Sequence, residues 1–592
     1  MIGVGQLAEH VQALKADNGR LMAAEFESID PGGQFTWEHS NRPANRVKNR
    51  YANVIAYDHS RVVLQQLSSS DVDTDYINAN YLDGYCKQNA YIATQGPLPQ
   101  TVSDFWRMVW EQRSAMIVSM TRLEERARVK CEQYWPGTNS QELMGEAQYG
   151  DITVGLLDTI ELAYYTIRTF ILHKTGTTET REVRQLQFTA WPDHGVPNHP
   201  APLLMFLRRV RAECPPDSGP IVVHCSAGVG RTGAFILLDI LLEQMRHEKA
   251  VDVFSTVSRL RAQRNFMVQT EDQYAFVYEA LVEAAASGNT ELPVRQLEAH
   301  WSRLTKPNSG LSPANSEGSR EDSTGLELEF SQLVAQSQLT TGSSSVNLTK
   351  NRHPDFVPHD ANRVALRAVR GVDGSDYINA SYIDGYRSRA VYIATQAPLT
   401  STLEDFWRMI WETGSCLIVR LESLPCYNDP RSMDLPTYWP TVQSVRHGYL
   451  VVDPIATYTM TAYVMRELRL TDTRDGTRRA KNRLLLANFR QRYGSLCEAV
   501  LETVIQVHKT KEHFGMDGPI TVHCNLGAGR TGVFLAIAVA LERMRYEGVV
   551  DMFQTVKLLR WQRVGLVQTA SEYAFCYAAA LEYLESFERY VT

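Results

Sequence analysis

The chain is written twice, and that duplication limits what it can fold into more than any other feature. "DYINANYLDGY" from Asp75 returns as "DYINASYIDGY" from Asp376, and "YIATQGPL" from Tyr91 as "YIATQAPL" from Tyr392. "DFWRMVW" from Asp104 returns as "DFWRMIW" from Asp405, and "GPIVVHC" from Gly219 as "GPITVHC" from Gly518. The offset stays near three hundred residues, far longer than the ~20–50-residue periods of solenoids. Within 592 residues this means two large domains of the same kind. Between the copies lies "TKPNSGLSPANSEGSREDSTG", Thr305 to Gly325, too polar and too rich in Ser, Gly and Pro to build a core. The expected division is a helical extension at 1–20, a first domain at 21–300, a linker at 301–325 and a second domain at 326–592.

Each copy mixes strands and helices. "GPIVVH" is a short β-branched run, and "GRTGAFILLDILLEQMRHE" continues as an amphipathic helix. Between them stands "HCSAGVGRTG", and in the second copy "HCNLGAGRTG". An α/β fold places such a loop at the carboxyl end of a strand, where ligands bind. Gly228 and Gly230 let successive N–H groups converge on an anion. The following helix adds its positive end. Arg231 can grip two phosphate oxygens as a fork. The same field favours the thiolate of Cys225, and Thr232 can donate its hydroxyl to it. A nucleotide-binding loop would need Gly-Lys-Ser/Thr, and no lysine is present. A lone buried structural cysteine is the plainer alternative, but Cys-x5-Arg-Thr-Gly at a strand-to-helix junction argues against it.

The net charge of −7 gives no global attraction to nucleic acid or to anionic membranes, so anion binding has to be local. Nine cysteines, without a CxxC pair, form neither a disulfide framework nor a zinc site. Reduced thiols fit a cytoplasmic setting. The first twenty residues do not read as a signal peptide, and apolar runs such as "GVFLAIAVAL" from Gly532 are too short to span a bilayer. The chain as given is expected to be soluble, without membrane insertion of its own.

"VHCSAGVGRTG" resembles the signature of the protein-tyrosine phosphatases. "KNRYANV", "DYINANY", "TQGPL", "DFWRMVW", "KCEQYWP", "WPDHGVP" and "QTEDQY" are similar to the family's other motifs in their order. The tandem layout resembles the cytoplasmic part of a receptor-type phosphatase. "FESIDPGGQFTWEHSN" and "RYEGVVDMFQTVK" resemble the leukocyte-common-antigen-related (LAR) subgroup. The resemblance implies an α/β (α+β) fold, each domain a central twisted mixed sheet flanked by helices.

It also implies roles. Cys225 would attack phosphorus, with Ser226, Ala227, Gly228, Val229, Gly230 and Arg231 holding the phosphate in place of a metal, so no cofactor is expected. Asp193 would protonate the leaving tyrosinate from a mobile lid, and Gln269, helped by Gln273, would position water. Tyr51 would wall a slot too deep for phosphoserine. Asn53 stands where many members carry an acidic residue. Glu125 would orient Arg231, Lys130 lies nearby, and His224 would brace the loop. Taken alone, Trp-Pro-Asp and Asn-Arg-Tyr read as turns, and Glu125 and Lys130 as solvated charges.

The second copy keeps Cys524, Gly527, Gly529, Arg530, Thr531 and Gln568. Asn525 and Leu526 replace Ser226 and Ala227, His353 replaces Tyr51, and Asp434 replaces Lys130. Opposite Asp193 stands Gln491 or Arg492, and neither is a general acid. A remnant that binds an anion, a thiol that responds to oxidation and a loop kept for the fold all remain open for it. The expected partners are phosphotyrosine-containing proteins, with contacts between the two domains or between two chains also open. The competing reading is a phosphotyrosine-binding scaffold without turnover; a dual-specificity phosphatase fits poorly because the Tyr51 motif is present.

Overall fold

The computed structural model describes residues 1–32, 34–66, 72–137, 145–306, 324–333, 340–421, 437–460, 462–474, 483–489, 496–513, 515 and 517–591. Asp434, Gln491, Arg492 and residues 307–323 of the Ser/Gly/Pro-rich stretch lie outside them.

A nine-stranded mixed sheet forms the middle of each half. In the first, the spatial order is Arg61–Val63, Tyr76–Leu82, Tyr91–Thr94, Ile221–His224, Met116–Ser119, Thr180–Phe188, Tyr165–Lys174, Ile152–Glu161 and Glu146–Tyr149. The four strands from Tyr91–Thr94 to Thr180–Phe188 run parallel, and the outer pairs are antiparallel. Ile221–His224 lies among the parallel strands with every residue buried, which explains its unalternating apolar run. The second sheet repeats this order, with Ile520–Cys524 between Tyr392–Gln396 and Leu417–Arg420. The mixed sheet flanked by helices is the expected fold.

Helices cover both faces. On one, Gly230–Glu248 buries Phe235, Leu237, Leu238 and Leu241 completely. It stops at Lys249, whose left-handed φ of 55° turns the chain as its N–H bonds Met245. On the other face, Val102–Glu111 buries Phe105 and Trp106 against Tyr134. Each such side chain contributes roughly 2–3 kcal/mol on leaving water, so the sheet and the loop at its edge are held from both sides.

The chain divides into two compact units, Met1–Asn289 and Thr290–Thr592, earlier than the expected 300/301 boundary. The first residues are not an appendage. Ile2–Gly3 pairs with Ala250–Val251, and the helix Leu7–Glu27 buries Leu7, Val11, Leu14 and Met22 in the first unit's core. The second unit opens the same way: Leu292–Pro293 pairs with Val549–Val550, and Leu297–Leu304 forms a helix. The first unit's helix kinks at Ala16–Gly19, where Asp17, Asn18 and Gly19 have positive φ. The corresponding place in the second unit holds the Ser/Gly/Pro-rich stretch, followed by the helix Gly325–Ser331 with Thr324 and Glu327 as its capping box. By the division into units that stretch falls after the start of the second unit, and its residues 307–323 lie outside the described residues. Among the described residues, no helix is long and apolar enough to cross a membrane.

Candidate active site

Strand Ile221–His224 ends at Cys225, and helix Gly230–Glu248 begins five residues later. The loop between them turns at Gly228, whose φ is +74° and whose missing Cβ leaves room for the Thr94 carbonyl. The Gly228 N–H donates to Cys225 Sγ at 3.2 Å, and the thiol side chain is buried. Thr232 was expected to make that bond. Its Oγ1 is buried without a hydrogen-bond partner among the described residues. In the second unit the arrangement differs: Thr531 Oγ1 donates to Cys524 Sγ at 3.3 Å. Gly233 lets the helix press on the next segment, since a Cβ there would overlap the Val268 amide.

Arg231 is held as a fork. Its Nη1 donates to Glu125 Oε1 at 2.6 Å and its Nη2 to Oε2 at 3.0 Å. Burial opposes the charge on Glu125, but the bonds and charge of Arg231, with a bond from Thr121, hold its carboxyl below the ordinary range. Glu125 sits on a two-residue strand facing Arg128–Val129, joined by Arg126 and Ala127 at positive φ. Lys130 closes this hairpin through its backbone, N–H to Leu123 at 2.8 Å; its side chain has no hydrogen-bond or ion-pair partner among the described residues.

Arg231 Nη2 also donates to the Pro192 carbonyl at 3.0 Å, tying the cradle to the segment that carries Asp193. Trp191 is buried there and donates to Gly195 across the turn. Asp193 Oδ2 lies 3.9 Å from Arg126 Nε, an exposed pairing of little strength. Tyr51 places its hydroxyl 2.9 Å from Ser226 Oγ. Asn53 is exposed, and its carbonyl accepts from Asn265. Gln269 and Gln273 both border Gly230: a Cβ there would come 3.2 Å from Gln269 Oε1 and 3.0 Å from the Gln273 amide. The Gln269 N–H donates to Gln273 Oε1 at 2.9 Å, fixing the pair. Val268 before them has a φ of 59°, a strained angle for a β-branched residue.

His224 is fully buried between Tyr134 Oη, 2.9 Å from Nε2, and the Cys225 carbonyl, 3.2 Å from Nδ1. Burial brings its pKa down to about 4, against the Cys225 carbonyl, so the ring is neutral and braces the loop. Sequence reasoning missed Arg264. This arginine is fully buried; Nε donates to Gly228 O at 2.9 Å, Nη2 to Ala227 O at 3.1 Å, and Nη1 and Nη2 to the Asn80 and Asn78 side chains. With these carbonyls turned toward Arg264, the loop amides are free to face the other way. Burial pushes its pKa down to about 10, so it stays charged at neutral pH. The repeated "QRN" and "QRV" before "FMVQT" and "GLVQT" was the available signal.

In the second unit Arg563 repeats that clamp on Gly527 and Leu526. His353, which stands in the place of Tyr51, turns to its own loop, 3.6 Å from Asp355 and ring to ring with Phe356. Gln273 is replaced by Glu572, whose Oε2 accepts the Gln568 N–H at 2.6 Å. Among the described residues, no group of three or more His, Cys, Asp or Glu side chains is placed to hold a metal ion.

A family described as protein-tyrosine phosphatase matches the chain twice, over residues 45–283 and 347–582. The chain belongs to that family. Along its whole length it is 56% identical to receptor-type tyrosine-protein phosphatase S of Gallus gallus, 55% to receptor-type tyrosine-protein phosphatase F of Homo sapiens and 51% to tyrosine-protein phosphatase Lar of Drosophila melanogaster. It spans 38%, 30% and 28% of those proteins' own lengths.

Proposed function

We propose that the chain hydrolyses phosphotyrosine in proteins at Cys225, and that the second unit does not turn over. The observation that carries this reading is the Arg231 fork, clamped by Glu125 beside a buried thiol that accepts a loop N–H. The Cys225 thiolate attacks phosphorus; an S–P bond forms and the P–O bond to tyrosine breaks. Arg231 and the loop amides hold the oxygens on which charge gathers. Asp193 gives its proton to the departing tyrosinate. Water, positioned by Gln269 with Gln273, then attacks phosphorus, Asp193 takes the proton, and the S–P electron pair returns to sulfur. Tyr51, beside Ser226, walls the slot that selects the aryl ester.

The second unit keeps Cys524 and Arg530 but holds His353 away from the Tyr51 role. Its role is regulatory or docking in this reading. By analogy with its receptor-type relatives, the chain acts as the cytoplasmic part of a membrane-anchored receptor. p-Nitrophenyl phosphate and a phosphotyrosine peptide, assayed on Cys225→Ser and Cys524→Ser variants, test the assignment. The first change abolishes turnover and the second leaves it within about twofold; equal losses overturn the reading. Asp193→Ala keeps substrate binding and loses ~10²–10⁴ in rate.

A further inference from the structure

Behind the signature loop of the first unit runs a line of hydrogen bonds whose direction is dictated by the chemistry of its two ends. At the far end stands Arg168, on the strand Tyr165–Lys174, its guanidinium 4.4 Å from the centre of the Trp135 ring. Its Nη1 donates to Gln185 Oε1 at 2.9 Å and to Gln187 Oε1 at 2.8 Å, both on the neighbouring strand. A guanidinium can only donate, so both amides turn their oxygens toward it and their nitrogens away. Gln187 Nε2 donates to the Thr121 carbonyl at 2.9 Å, and the Thr121 hydroxyl reaches Glu125 Oε1, the partner of Arg231. Gln185, fully buried, donates from Nε2 to Tyr134 Oη.

At the near end, His224 Nδ1 lies 3.2 Å from the Cys225 carbonyl, which can only accept, so Nδ1 carries the ring proton. The ring is neutral, and its bare Nε2 accepts from Tyr134 Oη at 2.9 Å. Tyr134 Oη is then left to accept on its other side, and the amide turned by Arg168 supplies the donor. We propose that Gln185 is a positioning residue for the hydrolysis: oriented by Arg168, it fixes the Tyr134 hydroxyl and the His224 tautomer that hold the Cys225 carbonyl, and with it the loop. The inference rests on the reading of Cys225 as the nucleophile. In the second unit Tyr438 Oη and His523 Nε2 still meet, at 2.7 Å, but Arg466 is paired in the sheet with Leu486, which has no amide to pass the direction on.

The test uses the full chain. Gln185→Glu keeps the shape, and beside the Arg168 guanidinium its carboxylate is ionised at neutral pH and can only accept. The Tyr134 hydroxyl then turns to it, Tyr134 Oη accepts from His224 Nε2–H, and a bare Nδ1 faces the Cys225 carbonyl. Gln185→Leu only removes the link and leaves the tautomer unforced. Iodoacetamide labelling of Cys225 against pH reads the thiolate: its midpoint rises by about one pH unit in Gln185→Glu and by less in Gln185→Leu. kcat/KM for p-nitrophenyl phosphate falls ~100-fold and ~10-fold in the same order. Nitrogen NMR of the histidine-labelled chain, with His224→Gln locating the signal, shows Nδ1–H in the native protein and Nε2–H in Gln185→Glu. A packing role alone reverses the order, because leucine strands the buried polar groups that glutamate still meets. That reversed order, or an unchanged tautomer in Gln185→Glu, overturns the proposal. Labelling of native Cys225 that inorganic phosphate fails to slow overturns instead the reading of the loop as a phosphate site.

Discussion

Arg231 donates from both terminal nitrogens to the two oxygens of Glu125, at 2.6 and 3.0 Å, across 106 residues of sequence. The pair leaves the guanidinium one orientation, and the Pro192 carbonyl at 3.0 Å extends that order to the segment carrying Asp193. Glu125→Gln keeps the shape but loses the charge and one acceptor. Its expected result is a ~10–100-fold fall in kcat/KM for p-nitrophenyl phosphate, with weaker inhibition by inorganic phosphate. Unchanged phosphate inhibition would show that Arg231 needs no such partner.

The loop glycines separate steric need from mere flexibility. At Gly228 an added Cβ would overlap the Thr94 carbonyl and lie 2.8 Å from the Gln95 nitrogen, at a φ of +74°. Gly176, in a turn with φ +80°, has no atom of the described residues within 4 Å of such a Cβ. Gly176→Ala therefore costs about 1–2 kcal/mol of backbone strain and leaves hydrolysis unchanged. Gly228→Ala adds a clash that only movement of the loop or sheet can relieve. It loses hydrolysis more than ~100-fold and costs several kcal/mol, read from urea unfolding.

The strand, the loop and the helix behind it were legible because their signals are local: an apolar run, glycines at fixed spacing, then a helical stripe. The Glu125–Arg231 pair was not readable from pattern, since its members are distant and only the family resemblance joined them. Arg264 was missed because a cation at the end of an amphipathic helix looks like solvated surface; only the fold reveals carbonyls converging on it. Composition marks residues 305–325 as unable to build a core, but it cannot tell a stretch inside a unit from a joint between units. The strand pair Leu292–Pro293 with Val549–Val550 makes that distinction. Thr232 and Thr531 share one motif position, yet only the second bonds its cysteine, a difference set by loop geometry and invisible in "GRTG".

His224 gives a pH signature. Its folded pKa is lowered to about 4, chiefly by burial, and the usual value is ~6.5. Below pH ~6.5 the unfolded chain takes up a proton that the folded site refuses, so stability falls as pH drops from 6.5 toward 4 and is flat above that window. At pH 5 the loss is ~2 kcal/mol from this residue. His224→Gln keeps a neutral side chain between Tyr134 and the loop. Its thermal midpoint, measured against the native chain from pH 7 to pH 5, should drop less steeply. An identical slope would mean that His224 does not carry the effect.

Arg264 and Arg563 offer a paired test of what a buried cation does for the loop whose carbonyls it holds. Each donates to two carbonyls of its own loop and to an asparagine behind it, Asn78 or Asn379. Replacing either by methionine fills most of the volume but leaves those carbonyls and amides without their donor, at a cost of about 3–5 kcal/mol. Both variants should therefore unfold at lower urea concentration. Their effect on chemistry should differ. Arg264→Met lets the Ala227 and Gly228 carbonyls turn back toward the cradle, so hydrolysis falls ~10–100-fold even under conditions where the protein stays folded. Arg563→Met disturbs a loop that is not expected to turn over, and hydrolysis stays within about twofold. A comparable loss of rate from both variants would show that the clamp acts through general stability and not through the direction of the loop amides.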